Sequence, residues 1–280
     1  MRAILTGEIT EVVAKMCVEA ACVLPEDVVH AIEAARGVEE SDVGKEILDR
    51  LLENVELARA ETRPICQDTG VAVFFVEKGA EVSISGGSLR EAIDEGVRRG
   101  YTDGYLRKSI VRHPLDRVNT KDNTPAIIHM EEVPGDKLTI YMMAKGAGCE
   151  NMSRLKMLTP SQGVAGVKDF VVETVEKGWA NPCPPVVVGV GIGGNFEKAA
   201  LLSKKALLGK LGEPNPDPLL DELEIELLER INNLGIGPQG LGGRVTALGV
   251  KILAHPCHIA SLPVAVNMEC HAHRHAKVVL

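Results

Sequence analysis

Four loops rich in glycine or proline carry the residue types that do chemistry. In the first, Cys66-Gln67-Asp68-Thr69-Gly70, a thiol, an amide and a carboxylate stand side by side before the apolar run VAVFFV at 71–76. The second is KGAGCENMSRLKM, with Gly146, Gly148 and Cys149; the third is NPCPP, with Cys183 between prolines; the fourth is NMECHAHRH, with Cys270 beside three alternating histidines. Thiolates bind soft metals and iron–sulfur clusters. Cys66, Cys183 and Cys270 each fall at the edge of an expected strand, where loops converge. Three thiolates on a four-iron cluster leave one iron without a protein ligand, which is the open position a Lewis-acid catalyst needs. No tight C-x-x-C-x-x-C run is present, so scattered structural cysteines stand as the alternative.

Two other motifs compete. His271, His273 and His275 alternate, so an extended strand points all three to one face and suits zinc. A solvated, frayed C-terminus is the plainer reading. Gly189, Gly191 and Gly194 fit G-x-G-x-x-G after a strand and before a helix, the dinucleotide fingerprint. The continuation LGKLGEPNPDP offers no second buried strand ending in an acid, so these glycines are expected to serve a tight strand-to-helix turn. Arg107 and Lys145 are cations near turns; they matter if they line the same pocket, because Arg grips carboxylates with a two-pronged geometry.

The elements that must position these loops follow from periodicity. Val12, Val13, Met16, Ala20 and Ala21 recur at helical spacing, a second helix starts at Pro25 and stops near Gly37, and a third runs from about Ser41 through Val55 toward Pro64. VAVFFV reads as a covered strand. Ser88 and Glu91 cap a further helix. PAIIHMEEVPGDKLTIYMMAKG predicts two strands around Pro-Gly-Asp, an antiparallel hairpin. Helices are expected over 163–177, 195–209 and 217–233, and β-like runs return at RVTALGVKIL and ASLPVAV. The expected architecture is a mixed α/β fold, α+β-like, with a helical N-terminal section packed on a mixed sheet, over residues 1–280 as a single domain.

Composition narrows the class. The 280 residues are 45% hydrophobic and 25% charged, as in globular chains. Lys and Arg number 31 against 39 Asp and Glu, a net charge of −8 that disfavours nucleic-acid binding. No membrane span and no signal peptide are read, and seven cysteines, an odd number, suit a reducing compartment, so a cytoplasmic location is expected. Cys17 and Cys22 lie on the first helical stripe and read as buried fillers.

Together, PICQDTGVAVFF, KGAGCENMSRLKML, NPCPPVVVGVGIGGNFEKAALLSKKAL, INNLGIGPQGLGG and HIASLPVAVNMECHAHR resemble the α subunit of class I, iron–sulfur fumarate hydratases, in the superfamily of L(+)-tartrate dehydratase α subunits. The resemblance covers nearly the whole chain. It implies a 4Fe-4S cluster held by Cys66, Cys183 and Cys270, with one iron open to substrate. It also implies that Gln67 and Asp68 face the substrate, that Arg107 grips a carboxylate of a small dicarboxylate, that Gly146 and Gly148 line the pocket, and that His258 reaches a neighbouring protomer's site as a catalytic residue. The implied reaction is reversible hydration of fumarate to L-malate. Tartrate dehydration and a non-catalytic metal-binding scaffold are the rivals. Single-chain members of the family carry a further C-terminal domain with the proton-transfer group, so the resemblance implies a separate β subunit in an α2β2 heterotetramer. Two departures stand out: Cys149 occupies a position where such fumarases often have Ser, and His273 one where they commonly have Asp.

Overall fold

The computed structural model of the chain describes residues 2–280. In order, the elements are β1 (Arg2–Leu5), α1 (Thr6–Cys22), α2 (Glu26–Val38), α3 (Asp42–Glu61), β2 (Val71–Gly79), β3 (Val82–Ser85) and α4 (Leu89–Asp103). Next come β4 (Ile127–Val133), β5 (Leu138–Lys145), α5 (Ala147–Glu150), β6 (Arg154–Leu158), α6 (Gly163–Gly178), β7 (Val186–Gly193) and α7 (Phe196–Ala206). The chain ends with α8 (Pro218–Asn232), β8 (Ala247–His255), β9 (Leu262–Glu269) and β10 (His275–Val279). It divides into two compact units, one built from the residues up to Pro25, Val55–Ala147 and Arg274–Leu280, the other from Glu26–Asn54 and Gly148–His273. Among the described residues no helix is long and apolar enough to cross a membrane.

In the first unit the helical stripe of α1 does what its spacing predicts. Ile9, Val13, Met16, Cys17 and Ala20 are buried in one core with Phe74, Ile140 and Met142 of the sheet and with Ile93 and Val97 of α4. Burial pushes the Cys17 thiol up to about 12. The Ser88 hydroxyl accepts from the Glu91 N–H at 3.1 Å and caps α4 as expected.

The expected hairpin takes a different form. β4 and β5 exist and are joined by a Pro134-Gly135-Asp136 turn, but they do not pair with each other: the sheet order is β10-β5-β2-β4, with β2 between them. β4 runs parallel to β2, with Val73 opposite Ile127, and β5 antiparallel, with Phe74 opposite Met142. The physical reason lies in the apolar run itself. Residues 72–76 are all buried, so the strand gains most at the centre, with both edges paired. The chain leaving β2 then fills the mouth of the turn, where the Gly79 and Ala80 N–H groups donate to the Lys137 and Val133 carbonyls at 2.8 Å each. β10 closes the other edge, and Leu280 exchanges backbone bonds with Leu138, so the C-terminus is not frayed.

The second unit holds the sheet β6-β9-β7-β8, with β7 parallel to β8 and antiparallel to β9. Asn195 and Asp217 accept from Lys198 and Leu219 N–H groups and cap α7 and α8. The glycine fingerprint resolves here. A Cβ at Gly189 or Gly191 would lie 2.1 Å from the Ser203 or Ala199 carbonyl oxygen, so these glycines let α7 lie directly on β7. Their spacing is explained by helix-on-strand contact rather than by a dinucleotide.

Candidate active site

The Cys66–Gly70 loop joins α3 to β2 in the first unit. It begins where the Ile65 N–H donates to the Ala21 carbonyl at the end of α1, at 3.0 Å. The Asp68 N–H is aimed at the Cys66 sulfur, 3.4 Å away, a contact of the kind that tunes thiolate ligands. The exposed Gln67 has its side-chain oxygen 3.6 Å from the same sulfur. Both oxygens of the Asp68 carboxylate are fixed, one by the Gly70 N–H at 3.0 Å and one by the Ala147 N–H at 2.9 Å. Gly70 makes this possible: its φ is +75°, and a Cβ there would lie 2.8 Å from the Lys145 carbonyl.

A second set of side chains clamps the loop's carbonyls. Arg274, 1% exposed, donates to the Asp68 carbonyl at 2.5 Å. The buried Tyr101 hydroxyl donates to the Thr69 carbonyl at 2.7 Å and reaches that of Gly70 at 3.3 Å. Burial, foremost, pushes the Tyr101 phenol above its ordinary range, so it stays a neutral donor. Asn123 donates to the Gly70 carbonyl at 3.2 Å and accepts from the Ser109 N–H at 2.7 Å. The Thr69 hydroxyl donates to the Arg107 carbonyl at 2.9 Å. The segment carrying Arg107 is thus tied to the Asp68 loop while its guanidinium is exposed.

In the second unit three of the sequence's loops converge on Cys183. Its thiol is exposed and its backbone has φ +55°, a conformation that a non-glycine residue adopts only when its surroundings hold it there. The His271 ring Nδ1 donates to the Cys183 carbonyl at 3.0 Å, which brings the chain next to Cys270 against this loop. Gln239 donates to the Pro184 carbonyl at 2.8 Å from the Gly-rich stretch. A Cβ at Gly148 would lie 3.5 Å from the Asn181 carbonyl of the same loop. Cys270 is buried, and the ligating atoms of Cys149, Glu269 and Cys270 lie within 4.8 Å of one another. Glu269 Oε1 accepts from the Cys149 thiol at 3.2 Å.

Of the residues singled out in the sequence, Cys66, Gln67, Asp68, Arg107 and Gly146 belong to the first unit, and Gly148, Cys183, Cys270 and His258 to the second. The hydrogen bonds of His258 stay in its own exposed loop, where its Nδ1 accepts from the Ala260 N–H at 3.1 Å. The histidine row does not form a zinc face. Residues 271–274 bend instead of extending, and the His271 and His273 rings bond to the carbonyls of Cys183 and Leu207. Among the described residues the group of three metal-ligating side chains within mutual reach is Cys149, Glu269 and Cys270. Sequence reasoning missed Tyr101, Asn123, Glu269 and Arg274. Glu269 alone left a signal, a carboxylate directly before a cysteine.

The family model described as fumarate hydratase (Fumerase) matches residues 10–279. The chain therefore belongs to that family of hydro-lyases. It is 46% identical over 275 residues, 96% of each chain, to a Methanocaldococcus jannaschii protein provisionally named L(+)-tartrate dehydratase subunit alpha. It is 37% identical over 278 residues, 98% of this chain and 91% of the relative, to the L(+)-tartrate dehydratase subunit alpha of Escherichia coli, and equally to that of Shigella boydii.

Proposed function

We propose that this chain is the α subunit of an iron–sulfur hydro-lyase that interconverts a hydroxy-dicarboxylate and its dehydrated partner, with fumarate and L-malate as the pair. The observation that carries the reading is the Asp68 carboxylate, held by two backbone N–H groups directly beside Cys66 and Gln67. A base or hydroxyl-orienting group fixed at both oxygens is placed without reorganisation during reaction.

The donor set fits an iron–sulfur cluster. Cys66, Cys183 and Cys270 are soft thiol donors outside any disulfide, one accepting an N–H at its sulfur and one on a backbone held at positive φ. In this reading they hold a 4Fe-4S cluster, which when bound supplies a Lewis-acidic iron to the substrate hydroxyl. The protein's own groups do the rest. Arg107 grips a substrate carboxylate, Gln67 hydrogen-bonds the same end of the molecule, and Asp68 holds the departing hydroxyl and its proton. Gly146 and Gly148 keep the pocket wall free of side chains. His258, on its exposed loop, acts in a neighbouring protomer's site. The group that removes the carbon-bound proton belongs to a separate β subunit, in an α2β2 assembly. The relatives' names, each "subunit alpha", support such a partner.

Tartrate is the second reading, favoured by those same names. In sequence the loop GAGCENMSR, with Glu150-Asn151 followed by Ser153-Arg154, looks fumarase-like, but its contacts do not decide between the two. Glu150 is engaged by Lys204 at 2.6 and 2.7 Å, Ser153 accepts from the Met268 N–H, and Arg154 faces Glu173, so all three serve the scaffold. The test is anaerobic purification with the β chain, then turnover of fumarate and of L(+)-tartrate beside iron and sulfide content. Cys66→Ser is expected to lose cluster and turnover together. Full turnover in that variant overturns the mechanism, and turnover of tartrate alone reassigns the substrate.

A further inference from the structure

Between α4 and β4 the chain makes an excursion, residues 104–126, outside the helices and sheets of the fold. Its middle is a small hairpin. Val111 bridges Asn119, the Arg112 N–H donates to the Val118 carbonyl at 2.8 Å, and the Thr120 N–H donates to the Ile110 carbonyl at 2.9 Å. At the tip the His113 ring Nδ1 accepts from the Leu115 and Asp116 N–H groups at 3.2 and 3.3 Å, and the Arg117 N–H donates to the His113 carbonyl. The excursion is therefore ordered by its own bonds, yet it presents Leu115 at 87% exposure and, at its start, Tyr105 at 91%.

Charge adds a second observation. The excursion holds five cations, Arg107, Lys108, Arg112, Arg117 and Lys121, against two anions, Asp116 and Asp122, in a chain of net charge −8. Among the described residues none of these five is in an ion pair, whereas Arg36, Arg98, Arg99 and Arg230 each hold a carboxylate. An ordered apolar tip, flanked in sequence by Arg112 and Arg117 and with further cations at its root, has the anatomy of a docking knob: preorganisation lowers the ordering cost, the apolar residue anchors, and the charges steer.

We infer that the 110–120 hairpin is the seat of the β subunit, with Leu115 entering an apolar pocket rimmed by carboxylates. This rests on reading the chain as one half of a two-subunit enzyme. The root of the hairpin points to that partner, because it is wired to the candidate active site: Thr69 holds the Arg107 carbonyl, and Asn123 bridges the Ser109 N–H and the Gly70 carbonyl. A partner seated here would steady the Asp68 loop that it helps to complete. A second copy fits less well, since two such basic hairpins meeting across a twofold axis would repel. A nucleic acid would meet a chain that is acidic overall.

The test is the dissociation constant of the α–β complex, measured by sedimentation with anaerobically purified chains. Leu115→Asp and the pair Arg112→Glu with Arg117→Glu are each expected to weaken it by about 30-fold or more, at unchanged melting temperature of the α chain. For the wild type, raising NaCl from about 0.05 M to about 0.5 M is expected to weaken it about tenfold. Affinities within threefold of wild type in both variants, a salt-independent constant, or no association of the wild-type chains overturns the assignment. Turnover is read separately. A tight, salt-sensitive but inactive complex would overturn the hydro-lyase reading and leave the docking site standing; an active complex indifferent to both variants would overturn the docking site alone.

Discussion

Tyr101→Phe isolates the clamp on the Asp68 loop in one oxygen atom. The hydroxyl is buried and donates to the Thr69 carbonyl at 2.7 Å, while the Gly70 carbonyl it also reaches keeps Asn123. The ring remains, so packing is conserved and no cavity larger than a hydroxyl opens. A neutral hydrogen bond contributes about 1 kcal/mol net, and a carbonyl stranded in the interior adds a similar desolvation cost, so the loss is about 2 kcal/mol. For a chain of this size that lowers the melting temperature by roughly 4–8 °C. Because the bond fixes the loop that carries Cys66 and Asp68, kcat/KM is expected to fall about tenfold, the equivalent of 1.4 kcal/mol. Calorimetry and steady-state kinetics on the same preparation read both. A melting temperature equal to wild type refutes the bond's contribution. A lowered melting temperature with wild-type kcat/KM refutes the link between clamp and site. The double variant with Asn123→Ala should show a coupling energy of about 1 kcal/mol, because the two side chains share the Gly70 carbonyl.

Asp68→Asn retains one acceptor oxygen but turns an amide N–H toward a backbone N–H, from Gly70 or Ala147; kcat is expected to fall by at least about 100-fold with the fold retained by circular dichroism. Glu39→Gln disrupts a carboxylate that accepts four backbone N–H groups, from Glu40, Ser41, Arg244 and Val245, at 2.7 to 2.9 Å, and is expected to cost about 3 kcal/mol in denaturant unfolding at neutral pH. Burial works to raise the Glu39 pKa, but the backbone bonds outweigh it and hold the carboxyl below its ordinary range. Its contribution is therefore full above the ordinary glutamate range and lost as pH falls through the lowered value, so the gap between wild type and variant should narrow in acid. Cys17 behaves in the opposite sense. With its thiol pushed from 9.0 up to about 12, stability should fall as pH rises from about 9 toward 12, by up to about 1.4 kcal/mol per pH unit, and Cys17→Ala should flatten that slope in alkaline melts.

What was legible in the sequence was whatever depends on near neighbours. The stripe of α1, the cap at Ser88 and the turn at Gly135 are local signals, and each element stands where its signal puts it. The pairing of β4 and β5 is not legible for the same reason: a good turn says that two strands run opposite ways, and says nothing of a third strand, more apolar than either, that takes the place between them. The glycine fingerprint reads as a strand-to-helix turn because no second buried strand ending in an acid follows it, and the carbonyls of Ala199 and Ser203 supply the physical reason, the close approach of α7 to β7.

The candidate site divides along the same line. Cys66, Gln67 and Asp68 stand out in the sequence as three reactive residue types side by side ahead of a buried strand. The side chains that immobilise them could not. Arg274 lies in a run of histidines near the C-terminus, where an arginine reads as solvated, and its bond to the Asp68 carbonyl spans 206 positions of sequence. Burying an arginine is costly unless its donors find acceptors. Arg274, a residue 1% exposed, gives one of its donors to the Asp68 carbonyl. The chemistry of such a site is written in a few adjacent letters, and the rigidity that makes the chemistry usable is written in letters far from them.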